Sequence, residues 1–338
     1  MKTHLFPVNG KFYKANLHCH TVISDGNLTA EEVKEAYKAK GYAVVAYTDH
    51  EALIDHSDLS DESFIALNGY ETAIKKVNNI STMTATTMPV HHINFIKKKP
   101  NDVTQFCFFP ENFTPGRCKE QIPFLRYVGE KCVYEYTPEF FRHLTNEAHK
   151  NGCLVHYNHP FWSLQCADDL AALDGIDGLE IFNTGCRYHG DFDDHMYDEL
   201  LRKGKNMYVV AGDDNHNGGK SLQDSFGGFT MICAEAFTYE AITDALEKGN
   251  AYVSSGPEIH DMYIDGNDLI VRTSPAAHIV LHSEGRIVKR ISGKDGYVDA
   301  AAFPLTKTLG AFFRIEVIDK NGDHAYTRAY SISDYISF

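Results

Sequence analysis

No apolar run in this 338-residue chain approaches the ~20 residues that a membrane-spanning helix needs. The opening stretch, MKTHLFPVNG, lacks the basic segment and the hydrophobic stretch of a secretory signal, so a cytoplasmic protein is expected. Positive charge is scarce: 32 Lys and Arg stand against 46 Asp and Glu, a formal net charge of −14. That balance argues against sequence-independent binding to DNA, RNA or an anionic membrane surface. A basic, aromatic-interleaved stretch suited to polymeric nucleic acid is also missing. The eight cysteines form no CxxC pair and show no regular spacing, so reduced and mostly buried thiols are expected, and the cysteines alone define no zinc site. Internal repeats and low-complexity segments are lacking too. The 43% hydrophobic and 23% charged content excludes wholesale disorder. The length allows one large core, or one large domain plus a small one. What the chain has in excess is histidine, eighteen in all.

The apolar pattern places these histidines on a scaffold. KANLH (14–18) reads as a short strand running into a polar loop. Thr29-Ala30-Glu31-Glu32 is a capping box opening a helix whose inward face is Val33, Ala36 and Tyr37, with Gly41 at its end. AVVAY (43–47) has the continuous apolar character of a strand buried on both faces, and FIALNGYETA (64–73) and VHHINFI (90–96) continue the series. Periodicity is lost over 97–137, which reads as an insertion or lid, with Lys97, Lys98 and Lys99 as a solvated edge. Thr137-Pro138 starts a helix, followed by strand CLVHY (153–157), a helix near 167–173, strand DGLEIF (177–182) and a helix near 191–203. Strand MYVVAG (207–212), FGGFTMICA (226–234) as an edge strand, a helix at 239–248 and strand AYVSS (251–255) complete the alternation. This predicts a mostly parallel α/β sheet, open or closed into a barrel. After 257 the pattern turns to short alternating runs, with an Asp319–Asp323 hairpin turn, and predicts a small antiparallel β domain over 258–338.

The informative histidines fall at the downstream ends of these strands, beside carboxylates: His18-Cys19-His20 and Asp25, Thr48-Asp49-His50, Glu71, His91-His92, His156 to His159, and Asp213-Asp214-Asn215-His216. A lone His or Asp at a strand end is usually a hydrogen-bonded loop residue. Parallel α/β folds, however, gather such ends on one ligand-binding face. In an extended segment His18 and His20 point the same way, so both can hold one metal. Imidazole with carboxylate suits Zn²⁺, Mn²⁺ or Fe, whereas Mg²⁺ prefers oxygen alone.

With HCHTVISDG (18–26), AYTDH (46–50), Gly-x-Glu at 69–71, His92, NHP (158–160) and GDDNH (212–216), the chain resembles the PHP (polymerase and histidinol phosphatase) metal-dependent phosphoesterases over about residues 12–257. The resemblance implies a distorted (β/α)7 barrel over 1–257; the alternating runs beyond it predict that a small antiparallel β-sandwich-like C-terminal domain follows. It also implies two to three divalent ions. One would be held by His18, His20 and Asp214, with Glu71 bridging to a second held by His92 and His159. A third would be held by Asp25, His50 and His216. Asp25 stands where many members carry His, and Asp213 where the family usually has Ser or Thr. The insertion at 97–137 and the β domain depart from the minimal pattern, so the substrate does not carry over.

The chemistry expected of such a centre is hydrolysis of a small phosphorylated substrate by a metal-bridging hydroxide, because clustered cations neutralise phosphate oxygens and acidify water. Arg187 and His189, in the loop after DGLEIF, are the candidate substrate contacts. Amide or lactone hydrolysis is the alternative chemistry, and a metal-containing binding scaffold the alternative class. His156 reads as a core or supporting residue, and others such as His143 receive no role.

Overall fold

Thr3–His4 (β1) and Lys11–Asn16 (β2) open the chain in the computed structural model, which describes residues 2–76, 86–112, 117–190, 192–294 and 297–337. The expected capping box starts Ala30–Lys38 (α1): the Thr29 hydroxyl accepts from Glu32 N–H at 3.2 Å, and the Glu32 carboxylate accepts from Thr29 N–H at 2.9 Å. Two orphaned amides are thereby satisfied. Val44–Tyr47 (β3) is buried along its length, followed by Ile65–Lys75 (β4) and Val90–Lys97 (β5). Within the insertion, Thr104–Phe106 (β6) and Arg126–Val128 (β7) pair in parallel around the short helix Arg117–Glu120 (α2), while residues 113–116 lie outside the described residues. Its aromatics are packed: Phe106 joins the main core, and Phe108 forms a small cluster with Ala52, Cys118 and Leu125.

The Thr137 hydroxyl caps Pro138–Lys150 (α3), and the chain then alternates through Cys153–Tyr157 (β8), Ala167–Ala171 (α4), Gly178–Asn183 (β9), Asp194–Arg202 (α5), Tyr208–Gly212 (β10), Phe229–Ala234 (β11), Tyr239–Glu247 (α6) and Ala251–Ser254 (β12). The elements sit where the apolar runs placed them, but the directions differ. Pairing runs β10-β9-β8-β5-β4-β3-β2-β11-β12. β5 is antiparallel to both neighbours, and so is β11, giving a mixed sheet rather than a mostly parallel one. β11 is also internal, between β2 and β12, and not an edge. An apolar run looks the same in either direction, so burial alone left strand direction open.

No ladder among the described residues closes this sheet into a barrel. Its β10 edge meets β11 through the Thr230 hydroxyl, which accepts from Ala211 N–H at 2.9 Å and donates to Ala211 O at 3.0 Å. Beyond β10, Asp214 N–H donates to His18 O at 2.9 Å and His20 N–H donates to Asn215 O at 3.2 Å. This seam brings two histidine-bearing loops together.

The remaining strands are Ile259–Asp265 (β13), Asp268–Ala276 (β14), His278–Ser283 (β15), Lys289–Ser292 (β16), Val298–Pro304 (β17), Phe312–Ile318 (β18), His324–Thr327 (β19) and Tyr330–Ser331 (β20). They split between two sheets. β1-β13-β14-β17 form one, while β19, β18, β15 and β16 extend the large sheet from β12, with β20 on β18. The two share a core of Met262, Ile264, Val271, Phe303, Phe313 and Ile315. Leu5 and Phe6 from the start of the chain enter that core, so the segment before 257 and the segment after it are tied by backbone pairing and packing.

One charge was misjudged. Lys97 is buried, with its ammonium 3.1 Å from Asp102 and donating to Asn151 O at 2.9 Å, whereas Lys98 and Lys99 keep exposure. Lys97 closes β5 inside the sheet, and partners compensate its desolvation. No helix among the described residues is long and apolar enough to cross a membrane.

Candidate metal centre

Six chain segments deliver polar side chains to one rim. β2 ends at Asn16, earlier than expected, and His18 and His20 follow it in a segment bridged to Asn215. His50 follows β3, His159 follows β8, and Asp214 and His216 follow β10. Glu71 lies within β4. His92 departs from the downstream-end pattern: it sits near the start of β5, opposite Ala73, and reaches the rim because that strand runs backwards. Alternation then sends His91 to the other face, where it stacks on Tyr136 at 4.1 Å and bonds the Tyr157 hydroxyl at 2.7 Å.

Two buried carboxylates shape these loops without joining the rim. Asp49 accepts from Thr21 N–H (2.8 Å), the Thr21 hydroxyl (2.8 Å), Ser24 N–H (3.1 Å) and the Ser24 hydroxyl (2.7 Å), folding the loop that returns Asp25 towards His20. Asp213 accepts from the Tyr37 hydroxyl (2.7 Å), Phe226 N–H (2.8 Å) and the Thr184 hydroxyl, leaving Asp214 at the rim. Gly212 permits a close approach there. A Cβ on it would lie 2.5 Å from the His18 Cβ and 3.0 Å from the His18 backbone nitrogen.

All nine carboxylate and imidazole groups anticipated as ligands converge. His18 Nε2 lies 3.2 Å from Asp214 and 3.4 Å from Glu71; His20 Nε2 lies 3.0 and 3.4 Å from the same two and 3.3 Å from His18 Nε2. Glu71 also meets His92 at 3.0 Å, His50 at 3.0 Å and His159 at 3.5 Å. Asp25 lies 3.6 Å from His50, 3.4 Å from His216 and 3.8 Å from His20. The ligand atoms fall into overlapping groups: His18-His20-Glu71, His18-His159-Asp214, Glu71-His92-His159 and His20-Asp25-His50-His216. His20 therefore reaches both ends of the cluster.

Burial opposes charge throughout, and neighbours decide each outcome. Glu71 and Asp214 are desolvated, yet the surrounding imidazoles hold both well below the usual carboxylate range. Desolvation works against a proton on His50, but Glu71 and then Asp25 raise it to about 9. His216 is likewise desolvated and is raised to about 10, chiefly by Asp25 and Asp214. His20 is lowered by burial and by His216 and His50.

The sequence reading missed Glu180. It is buried in β9, with one oxygen 3.1 Å from His18 Nδ1 and the other accepting from His159 N–H at 2.9 Å. An acidic residue inside the apolar run DGLEIF was the available signal. A carboxylate only accepts, so His18 Nδ1 donates to Glu180 and Nε2 is the atom turned to the rim; burial opposes a charge on this ring, but Asp214, Glu180 and Glu71 hold it well above the usual imidazole range. Asn158 was missed as well; its amide donates to Glu71 Oε1 at 2.8 Å. Glu180→Gln is expected to weaken divalent-ion binding ~10–100-fold, the usual effect of losing a partner behind a ligand. Competition with a chelating dye measures it, and unchanged affinity would remove Glu180 from this role.

The expected substrate contacts divide. His189 lines a narrow cleft of about 20 Å³ with His159, Trp162, Glu180 and Asp193. Arg187 is exposed, over the Tyr188 ring at 5.6 Å, and does not line that cleft. Trp162 is the unanticipated wall residue, with its ring 5.0 Å from His159 and 5.3 Å from His92. His156 bonds the Tyr208 hydroxyl at 3.0 Å, in the core.

No family model and no curated protein matches the chain. Among solved structures it is similar to a two-domain protein from Bacteroides vulgatus containing a predicted PHP-like metal-dependent phosphoesterase, at 13% identity and TM-score 0.44, over 97% of this chain and 98% of that one. A protein from Bifidobacterium adolescentis assigned as a metal-dependent phosphoesterase aligns at 15% identity and TM-score 0.35, over 62% of this chain and 89% of that one. An amidohydrolase from Chromobacterium violaceum, with bound sulfate and no metal, aligns at 16% identity and TM-score 0.37, over 60% of this chain and 87% of that one.

Proposed function

We propose that the chain is a metal-dependent phosphoesterase of the PHP kind its motifs resemble, hydrolysing a small phosphorylated substrate at the rim of a distorted, incompletely closed barrel. One observation carries this reading. Two imidazole nitrogens, His18 Nε2 and His20 Nε2, face each other and two carboxylates at 3.0–3.4 Å. Lone pairs so arranged repel unless a proton or a cation lies between them. Divalent ions fit this donor set, and Zn²⁺, Mn²⁺ or Fe suit it better than Mg²⁺.

His18, His20 and Asp214 would hold one ion, Glu71 would bridge to a second at His92 and His159, and Asp25, His50 and His216 would hold a third. When bound, such ions supply positive charge to phosphate oxygens and make a water acidic enough to attack. The chain's own residues orient the ligands and wall the approach. Glu180, Asn158 and Ser163, 3.2 Å from His159 Nδ1, fix the imidazoles and Glu71. Trp162 and His189 border the approach, and Asp25, with its side chain 51% exposed, marks the open side. The β-rich region 258–338 is a unit of its own in this reading, joined through β12 and through β1, which pairs with β13.

Turnover of p-nitrophenyl phosphate or bis-p-nitrophenyl phosphate with Mn²⁺ or Zn²⁺ tests the function. Hydrolysis of an amide or lactone panel with neither phosphate ester turned over would overturn it. A second outcome follows from the histidines. His50 and His216, raised to about 9 and about 10, carry protons at pH 7 until an ion displaces them. Ion loading at pH 7 is therefore expected to release protons, and apparent affinity to rise with pH. Calorimetry in buffers of different ionisation enthalpy reads the proton count; a count of zero contradicts the displacement.

A further inference from the structure

Outside the rim, two cysteines and a histidine meet where the insertion docks on α3. Cys107 follows β6 and is buried; Cys132 is partly buried; His143 is exposed on α3. The two cysteines are brought together by the backbone, Cys132 N–H donating to Phe108 O at 3.0 Å. Cys107 Sγ lies 3.8 Å from His143 Nε2, and the three ligand atoms all fall within 4.8 Å of one another.

We propose that Cys107, Cys132 and His143 form a separate Zn²⁺ site that pins the insertion to α3. The geometry is that of a tetrahedral edge. Zn–S bonds of ~2.3 Å and Zn–N bonds of ~2.0–2.1 Å place S and N ~3.6 Å apart, close to the separation already present. Thiolates with imidazole are soft ligands that select zinc over Mg²⁺, Ca²⁺ or Mn²⁺. None of the three residues belongs to the ligand groups of the rim, and that cluster holds no thiol. Glu147 stands one helical turn beyond His143 and is half-buried, which offers the fourth position to its carboxylate or to water. Burial, Cys132 and then Glu147 push the Cys107 thiol up, so binding would expel protons from the thiols as the ion arrives. The exposed His143 marks the way in.

The test is cobalt substitution in the full chain, stripped of metal and kept reduced. A near-ultraviolet sulfur-to-cobalt charge-transfer band is expected on titration with Co²⁺, and excess Zn²⁺ should quench it. Cys107→Ser and Cys132→Ser should abolish the band and lower bound zinc by one ion per chain. Cys166→Ser, an exposed cysteine elsewhere, should leave both unchanged. The surface variant His143→Ala keeps both thiols and should weaken cobalt binding at least tenfold, so the proposal stays testable if a cysteine variant fails to fold. No band in the reduced wild type, a band that survives Cys107→Ser, or unchanged affinity in His143→Ala would overturn it. So would a Cys107–Cys132 disulfide found by mass spectrometry in protein whose reduced form takes up no more zinc than Cys107→Ser. A rim centre without thiols gives no such band, so failure here is distinct from failure of the phosphoesterase reading.

Discussion

Glu71→Gln is expected to lower bound divalent ions by at least one per chain and to cut phosphate-ester hydrolysis ~10³-fold. The number follows from the several kcal/mol of charge stabilisation that a bound ion supplies, at 1.36 kcal/mol for each decade of rate. Glu71 is singled out by position. It is almost wholly buried and stands within 3.0–3.5 Å of five imidazoles, so no other carboxylate at the rim serves as many ligands. The substitution keeps shape and removes charge. Asp25→Asn provides the graded comparison: Asp25 is half-exposed and touches the peripheral His50 and His216 most closely, so its loss should cost less in both ion count and rate. Elemental analysis, kinetics and circular dichroism on the same preparations separate ion loss from misfolding. Full ion content with activity within threefold of wild type in Glu71→Gln would defeat the assignment of Glu71 as the bridge.

The second large effect is on stability. Arg314, on β18, is 1% exposed and reaches α5, with Nε 2.7 Å and Nη2 2.9 Å from the two Asp198 oxygens and Nη2 3.2 Å from Asp194. This paired contact ties the C-terminal strands to the helix before β10. Arg314→Ala leaves two poorly solvated carboxylates facing a void, and breaking a buried pair from one side costs about 3–5 kcal/mol. Urea unfolding followed by tryptophan fluorescence should show that loss. Arg314→Met combined with Asp198→Leu should recover part of it, because the more closely paired carboxylate then no longer carries an uncompensated charge, while Asp194 still loses its guanidinium. A cost below about 1 kcal/mol for Arg314→Ala would show that water reaches the carboxylates and replaces the guanidinium.

Much of the rim was legible beforehand because its signals are local. His18 and His20 share a face through alternation along an extended segment, and His216 lies two residues beyond Asp214, so short spacing carried the information. The choice of His92 over His91 came from the family pattern, and the structure gives its physical basis: alternation on β5 puts His91 against Tyr136. Glu180 was less legible. A single carboxylate in an apolar strand reads equally as a defect, an ion pair or a support, and only its neighbours across the sheet decide. Arg187 and His189 share a loop, so sequence could not separate the residue that lines the cleft from the one that leaves it.

From its residues alone, this chain determined where strands and helices form, because capping boxes, apolar runs and Gly-terminated helices act within a few positions. It pointed to a candidate divalent-ion site too, since imidazoles and carboxylates at short spacing favour such ions whatever the surrounding fold. Tertiary structure alone decided that β5 runs backwards and so presents His92, that β11 is internal, and that Lys97 is buried beside Asp102. It alone brought Cys107 and Cys132 to His143 and Arg314 to Asp198. The reason is common to all of these. Each depends on contacts between residues far apart in the chain, and strand register, burial and charge pairing belong to partners that no local pattern names.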